Sequence, residues 1–199
     1  MGAITTFSVL ASMQTEEAQI ARGLRHRDPD LLDALIEQYR HRLMRYLLHV
    51  LGNRVIAEDL FQETWIRVLE RGAQYDGQTR FVAWLLAIAH NLAIDYLRKK
   101  QRAGLEPLDD DTSDGPVFEP VSSGPSPFDL AAANEQAQTV AEALGHVPAL
   151  FREVLVLRFQ EQMKLEEIST LTGVPLATVK SRLYRGVASL RPALQGKLG

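Results

Sequence analysis

Residues 103–128, AGLEPLDDDTSDGPVFEPVSSGPSPF, constrain the architecture more than any other stretch of this chain. They are crowded with Pro, Gly, Ser and Asp and have few apolar residues to anchor a core. That composition reads as a flexible or extended linker. At 199 residues the chain is long enough for one ordinary domain or two small ones, and such a linker implies two. Charge divides at the same boundaries. Residues 103–129 hold seven acidic residues and no Lys or Arg, while the mildly basic pieces on either side hide behind a formal net charge of −3. Two basic pieces flanking an acidic tether suit polyanion binding. The run DDDTSDG invites a calcium reading. An EF-hand frame from Asp110, however, puts Thr112 at its third position and Val121 where the bidentate Glu belongs, so the segment is read as a solvated tether.

Outside the linker the apolar spacing is helical, and no stretch alternates as a strand would. Thr15 is placed to cap a short helix reaching about Arg25. Asp28-Pro29 caps and opens a long helix to Leu51, since proline suits the first helical position. Gly52 ends it, Asn53 starts the next to Arg71, and GAQYDGQT forms a loop. Thr79 is expected to cap a helix from Arg80 to Arg102. Ser126-Pro127-x-Asp129 resembles a capping box for a helix ending at Gly145. Further helices are expected over Ala149–Glu161, Leu165–Thr172 and Leu176–Leu190. The expected fold is all-α, four helices and then four, with domains over 14–102 and 129–194.

Within LTGVPLATVKSRL, Gly173 sits between two apolar-periodic segments, where a sharp helix-to-helix turn can demand positive φ. Ser169, four positions earlier, is small enough for a close crossing. This is a helix-turn-helix pattern, whose second helix enters the DNA major groove. Its exposed face would carry Thr178, Lys180, Ser181, Arg182, Tyr184 and Arg185. Lys180 and Arg182 are placed to approach base edges, with Arg182 the stronger candidate, and Arg185 and Arg191 to meet phosphates.

LEEISTLTGVPLATVKSRLYRG resembles the promoter-reading helix-turn-helix of extracytoplasmic-function (ECF) sigma factors. AEDLFQETWIRVLER and FVAWLLAIAHNLAIDYLRKK resemble the core-binding and promoter-melting helices of the same family, in the same order. The resemblance covers about residues 28–102 and 130–192. Ser169 and Gly186 depart from it, alanine being usual at both, and a mid-helix glycine costs about 1 kcal/mol. The far end of the second helix is therefore expected to be weaker. The resemblance implies a cytoplasmic, non-enzymatic protein without cofactor that binds core RNA polymerase at the clamp coiled coil and flap of its large subunits. It also implies recognition of minus-thirty-five and minus-ten promoter elements, help in opening the DNA, and an anti-sigma partner.

On the helix 54–71, Asp59, Gln62, Glu63 and Arg67 recur at helical spacing, with Leu60, Trp65, Val68 and Leu69 largely on the other side. With the resemblance, Asp59, Gln62 and Glu63 become the expected polymerase contact. On the helix 80–102, Trp84, Asn91, Asp95 and Arg98 share a stripe that ends among Arg98, Lys99, Lys100 and Arg102. An aromatic, an amide and a basic end on one face are how single-stranded bases and their phosphates are held. Tyr75, Asp76 and Gln78 in the preceding loop could pocket an unstacked base. A core role is the alternative for Trp84 and Tyr75.

Other classes find little support. The chain has no cysteine, so disulfides, thiolate catalysis and cysteine-ligated zinc are excluded. Five histidines without ligand spacing offer no metal site. The longest apolar run, Phe81–Ala89, is about half of what a membrane span needs, so no membrane insertion is expected. The N-terminus is a poor signal peptide. Met1-Gly2 with Thr6 matches a short, loosely specified myristoylation pattern. A transcription regulator acting without being a sigma subunit, or a helical adaptor binding only proteins, are the rival readings.

Overall fold

The computed structural model describes residues 16–103 and 143–195, with side chains to 191. Among these residues every regular element is helical. Helix α1 spans 16–26. It is followed by α2 (Pro29–Leu51), α3 (Arg54–Arg71) with a 3-10 turn at Gly72–Gln74, and α4 (Phe81–Arg102). The second domain contains α5 (Ala149–Leu155), which runs into a π-helical turn at Val156–Gln160, then α6 (Leu165–Thr172) and α7 (Leu176–Gln195). The linker, the Ser126-Pro127 capping box, the Thr15 cap and the Gly2–Thr6 pattern lie outside the described residues.

Local sequence explains most of the boundaries. Asp28 accepts from the N–H groups of Asp30 and Leu31, and Pro29 needs no acceptor at the first turn. Gly52 closes α2 in the left-handed region, at φ 62°, and Asn53 caps α3 by accepting from Ile56 N. One expectation fails. Thr79 does not cap α4; Glu17, reaching over from α1, accepts from Phe81 N at 2.8 Å. The same carboxylate oxygen accepts from the Tyr75 hydroxyl. A long-range carboxylate thus does the work expected of a local hydroxyl.

Gly186 also has a packing role. It is buried, and a Cβ there would stand 3.0 Å from Leu155 and 3.3 Å from the Phe151 carbonyl. The glycine lets α7 cross α5 closely, and α7 continues past it to Gln195. Leu144, Val147, Phe151 and Leu155 pack with Leu183 and Leu190 around this crossing.

The domains are not separate in space. α5 packs against α2, and α6 against α4. One continuous set of buried side chains runs from Ile20, Leu43 and Leu86 in the first domain to Val154, Leu157 and Ile168 in the second.

Candidate functional site

Three surfaces carry the residues singled out from the sequence. The first is the helix-turn-helix. Gly173 adopts φ 67°, which an L side chain resists, and nothing lies within 4 Å of where its Cβ would be, so conformation rather than space selects glycine. Ser169 Oγ donates to Val174 O at 2.6 Å and ties the turn back to α6. The Pro175 carbonyl accepts from Thr178 N and Val179 N and starts α7. Val179 and Gly186 are buried and Leu183 is half-buried, which fixes the helix rotation. Lys180, Ser181, Tyr184 and Arg185 consequently face outward, Tyr184 being 75% exposed. Thr178 and Arg182 stand half-buried on the flank of the helix, Arg182 one turn from Val179. The Arg185 guanidinium lies 5.9 Å above the Phe151 ring, which restrains its stem.

The second surface is α4. Asn91, Asp95, Arg98 and Lys99 form an exposed stripe, and Trp84 is half-buried at its start. Trp84 sits 5.2 Å from Tyr75 and 5.9 Å from Phe81, between centroids, so a cluster of aromatic rings holds it at the surface. Tyr75 is corrected. It is 1% exposed, and its hydroxyl donates to Thr79 O and Glu17. Burial, then the neighbouring Glu17 carboxylate, pushes that hydroxyl far above its ordinary value. With no surface left to offer a base, Tyr75 supports Trp84 from beneath.

The third surface is α3. Asp59 and Gln62 are exposed, and half-buried Glu63 pairs with Arg67 at 2.8 Å. Arg67 reaches Glu70 at 3.0 Å, so the acidic stripe is partly neutralised from within. Trp65 and Val68 are buried as expected, but Leu69 is 46% exposed and belongs to the outer face. Val55 and Ile66 are exposed too, at one helical face with Asp59 and Gln62. Sequence reasoning missed this exposed apolar set, although Val55, Ile66 and Leu69 fall at positions 11 and 3 apart, close to whole turns. Beside this face, a groove of about 380 Å³ between α2 and α3 is lined by Ile36, Met44, Leu48 and Phe61 with Arg40 and Arg54 at its rim.

Comparison with known proteins places both helical domains in one family. Residues 35–103 match Sigma-70 region 2, and residues 137–190 match Sigma-70, region 4. The chain is 31% identical over 185 residues to the ECF RNA polymerase sigma factor SigW of Bacillus subtilis (strain 168), across 89% of this chain and 94% of that one. The chain belongs to the ECF sigma factors.

Another relative is the ECF RNA polymerase sigma factor SigE of Mycolicibacterium smegmatis, 35% identical over 81% of this chain and 61% of that longer protein. A solved structure, the sigma factor RpoE in complex with the anti-sigma factor NepR from Bartonella quintana, aligns with a TM-score of 0.63 at 20% identity. It covers 83% of this chain and 97% of that one. The second likeness shows the fold. This sigma factor is therefore a non-enzymatic subunit that directs RNA polymerase in transcription initiation and recognises promoter DNA. Among the described residues, no helix is long and apolar enough to cross a membrane, and no cluster of His, Asp and Glu could hold a metal ion.

Proposed function

We propose that this sigma factor divides its task among the three surfaces. Its exposed α3 face holds the polymerase, α7 reads the minus-thirty-five element, and the α4 stripe reads and opens the minus-ten element. The observation that carries the reading is the α3 face. It combines exposed Val55, Ile66 and Leu69 with Asp59 and Gln62 on the side away from the core, with Glu63 beside them. An exposed apolar patch edged with polar groups marks a protein–protein site more than a solvated surface. A basic, apolar-edged helix pair such as the clamp coiled coil is the fitting partner, with the second domain meeting the flap.

On DNA, Lys180, Ser181, Arg182 and Thr178 of α7 approach the base edges, and Arg185 meets the backbone. Trp84, Asn91, Arg98 and Lys99 hold the opened strand. The protein works in the cytoplasm, where polymerase is. An anti-sigma protein regulates it, a reading supported by the fold shared with a sigma factor solved in complex with an anti-sigma factor.

The test is transcription by purified core polymerase with this chain on a genomic DNA library, with start sites mapped. Defined starts preceded by a shared bipartite sequence are expected. Binding to an inverted repeat without polymerase would instead favour a free-standing regulator.

A further inference from the structure

Helix α1 belongs to none of the three surfaces, but it runs beside one of them. Residues 72–80 join α3 to α4 and lead into Trp84 of the opened-strand surface. Two glycines let this segment lie against α1. A Cβ on Gly72 would stand 3.1 Å from Leu24 Cβ and 3.4 Å from the Leu24 carbonyl oxygen. A Cβ on Gly77, at φ 76°, would stand 3.0 Å from the Glu17 carbonyl oxygen and 3.4 Å from Ala18 Cα. The segment thus follows α1 backwards from Leu24 to Glu17, about two turns of helix.

Glu17 fixes the end nearest Trp84. Its Oε2 accepts from Phe81 N at 2.8 Å and from the Tyr75 hydroxyl, which also donates to the Thr79 carbonyl at 2.6 Å. Tyr75 and Phe81 bracket the turn 76–80, so one oxygen ties down both of its ends. Inside the turn, Asp76 Oδ1 accepts from Gln78 N at 2.9 Å. Asp76, Gln78 and Thr79 are left exposed. The rings of Tyr75 and Phe81 are also the ones beside Trp84, at 5.2 and 5.9 Å between centroids. Ile20, Ala21 and Leu24 bury α1 in the core, so the carboxylate is carried by an anchored helix.

A hydroxyl of Thr79 at the cap would have ordered only the start of α4. The Glu17 carboxylate orders the start of α4 and the preceding turn together. That difference matters for a base taken from the stack. Unstacking is already costly, so binding depends on a receiving surface that is ordered beforehand.

We propose that Glu17 is a positioning residue for minus-ten recognition: by holding Tyr75 and Phe81 on one oxygen, it braces the turn 76–80 and Trp84 in the shape that receives an unstacked base. The inference rests on the minus-ten reading above, but its first measurement does not. The brace needs an acceptor rather than a charge. Glu17→Gln keeps an oxygen for both donors and should behave as wild type, whereas Glu17→Ala removes it.

The chain has no cysteine, so Gln78→Cys gives a unique spin-label site on the exposed turn. In the free full-length chain the label should be restrained with Glu17 in place or with Glu17→Gln, and mobile with Glu17→Ala. Equal mobility in all three overturns the brace. The second measurement, without the label, is transcription by the holoenzyme from every single-base variant of both promoter elements. Glu17→Ala should lower discrimination at a minus-ten position by about tenfold, the size of one good base contact. The minus-thirty-five profile and the affinity for core polymerase should not change, and Glu17→Gln should keep the wild-type profile. Val50→Ala controls for stability alone. Val50 is buried on α2, about 16 Å along the helix from Tyr39, the α2 ring that meets Phe81. Its truncation should lower the melting temperature and leave the minus-ten profile intact. A uniform loss at every base with Glu17→Ala, or the same relaxation from Val50→Ala, overturns the positioning role. Absence of any minus-ten preference in the wild-type chain would count against the minus-ten reading itself, and the label mobility would still decide the brace.

Discussion

Glu17 shows how much one residue outside the recognised motifs can organise. Its single carboxylate caps α4 at Phe81 and takes the hydroxyl of Tyr75, the ring on which Trp84 rests. Glu17→Ala leaves the Phe81 N–H without its acceptor and is expected to destabilise the fold by about 2 kcal/mol, read from the urea midpoint. A loss under about 0.5 kcal/mol would show that water replaces the cap. Nothing in the local sequence pointed to Glu17, because a cap from 64 residues away has no spacing signature, whereas Thr79 stands where local caps usually stand.

His49 offers a pH-dependent test at the same scale. Burial holds its imidazole below the ordinary value of 6.5; the hydrogen bond from Nδ1 to the Arg45 carbonyl opposes this, and the charges of Arg152 and Arg45 reinforce it. With the folded value lowered, the unfolded chain binds more protons. This contribution is therefore full above about pH 6.5 and is lost as pH falls through that value toward the folded one. His49→Gln should flatten the dependence of melting temperature between about pH 7 and pH 5.5. An unchanged slope would remove His49 from the account.

At the scale of the element, the helices were legible because their caps and periods are local. Asp28-Pro29, Gly52, Asn53 and Gly173 all act within a few residues of where they stand. What the pattern could not supply was each helix's rotation against partners distant in sequence. Leu69 looked inward by period yet lies outward, and Gly186 looked like a weak point yet marks a crossing. Gly186→Ala sets about 1 kcal/mol of helix propensity against overpacking of 1–3 kcal/mol on Leu155 and the Phe151 backbone. A net loss of about 1 kcal/mol is expected, and a more stable variant would show that the crossing can relax.

For α7, the outward Lys180 and the half-buried Arg182 divide from Arg185. Lys180→Ala or Arg182→Ala should cost about 1–3 kcal/mol and relax preference at one upstream position, in transcription from every single-base variant of that element. Arg185→Ala should weaken all variants alike and lower the salt slope by about one unit. Arg182 additionally stands half-buried one turn from Val179, so its replacement should lower the melting temperature where that of exposed Lys180 should not.

At the scale of the whole molecule, the acidic linker made two domains readable but not their embrace. The signal was present in LFREVLVL, where Arg152 and Glu153 interrupt an otherwise apolar run. A charge in such a run must find a partner, and only the fold says that Tyr46 and His90 on the other domain are the partners. The shared set of buried side chains has a thermodynamic consequence. If the domains unfold together, calorimetry on the full chain should give one transition with equal calorimetric and van't Hoff enthalpies. Tyr46→Phe with His90→Leu weakens the coupling between the domains. The single peak should then split, or its van't Hoff enthalpy fall below the calorimetric one, with little loss of helix content at low temperature. Two well-separated peaks in the wild-type chain near neutral pH would mean that the domains are already independent, and the contact between them would then contribute nothing to stability.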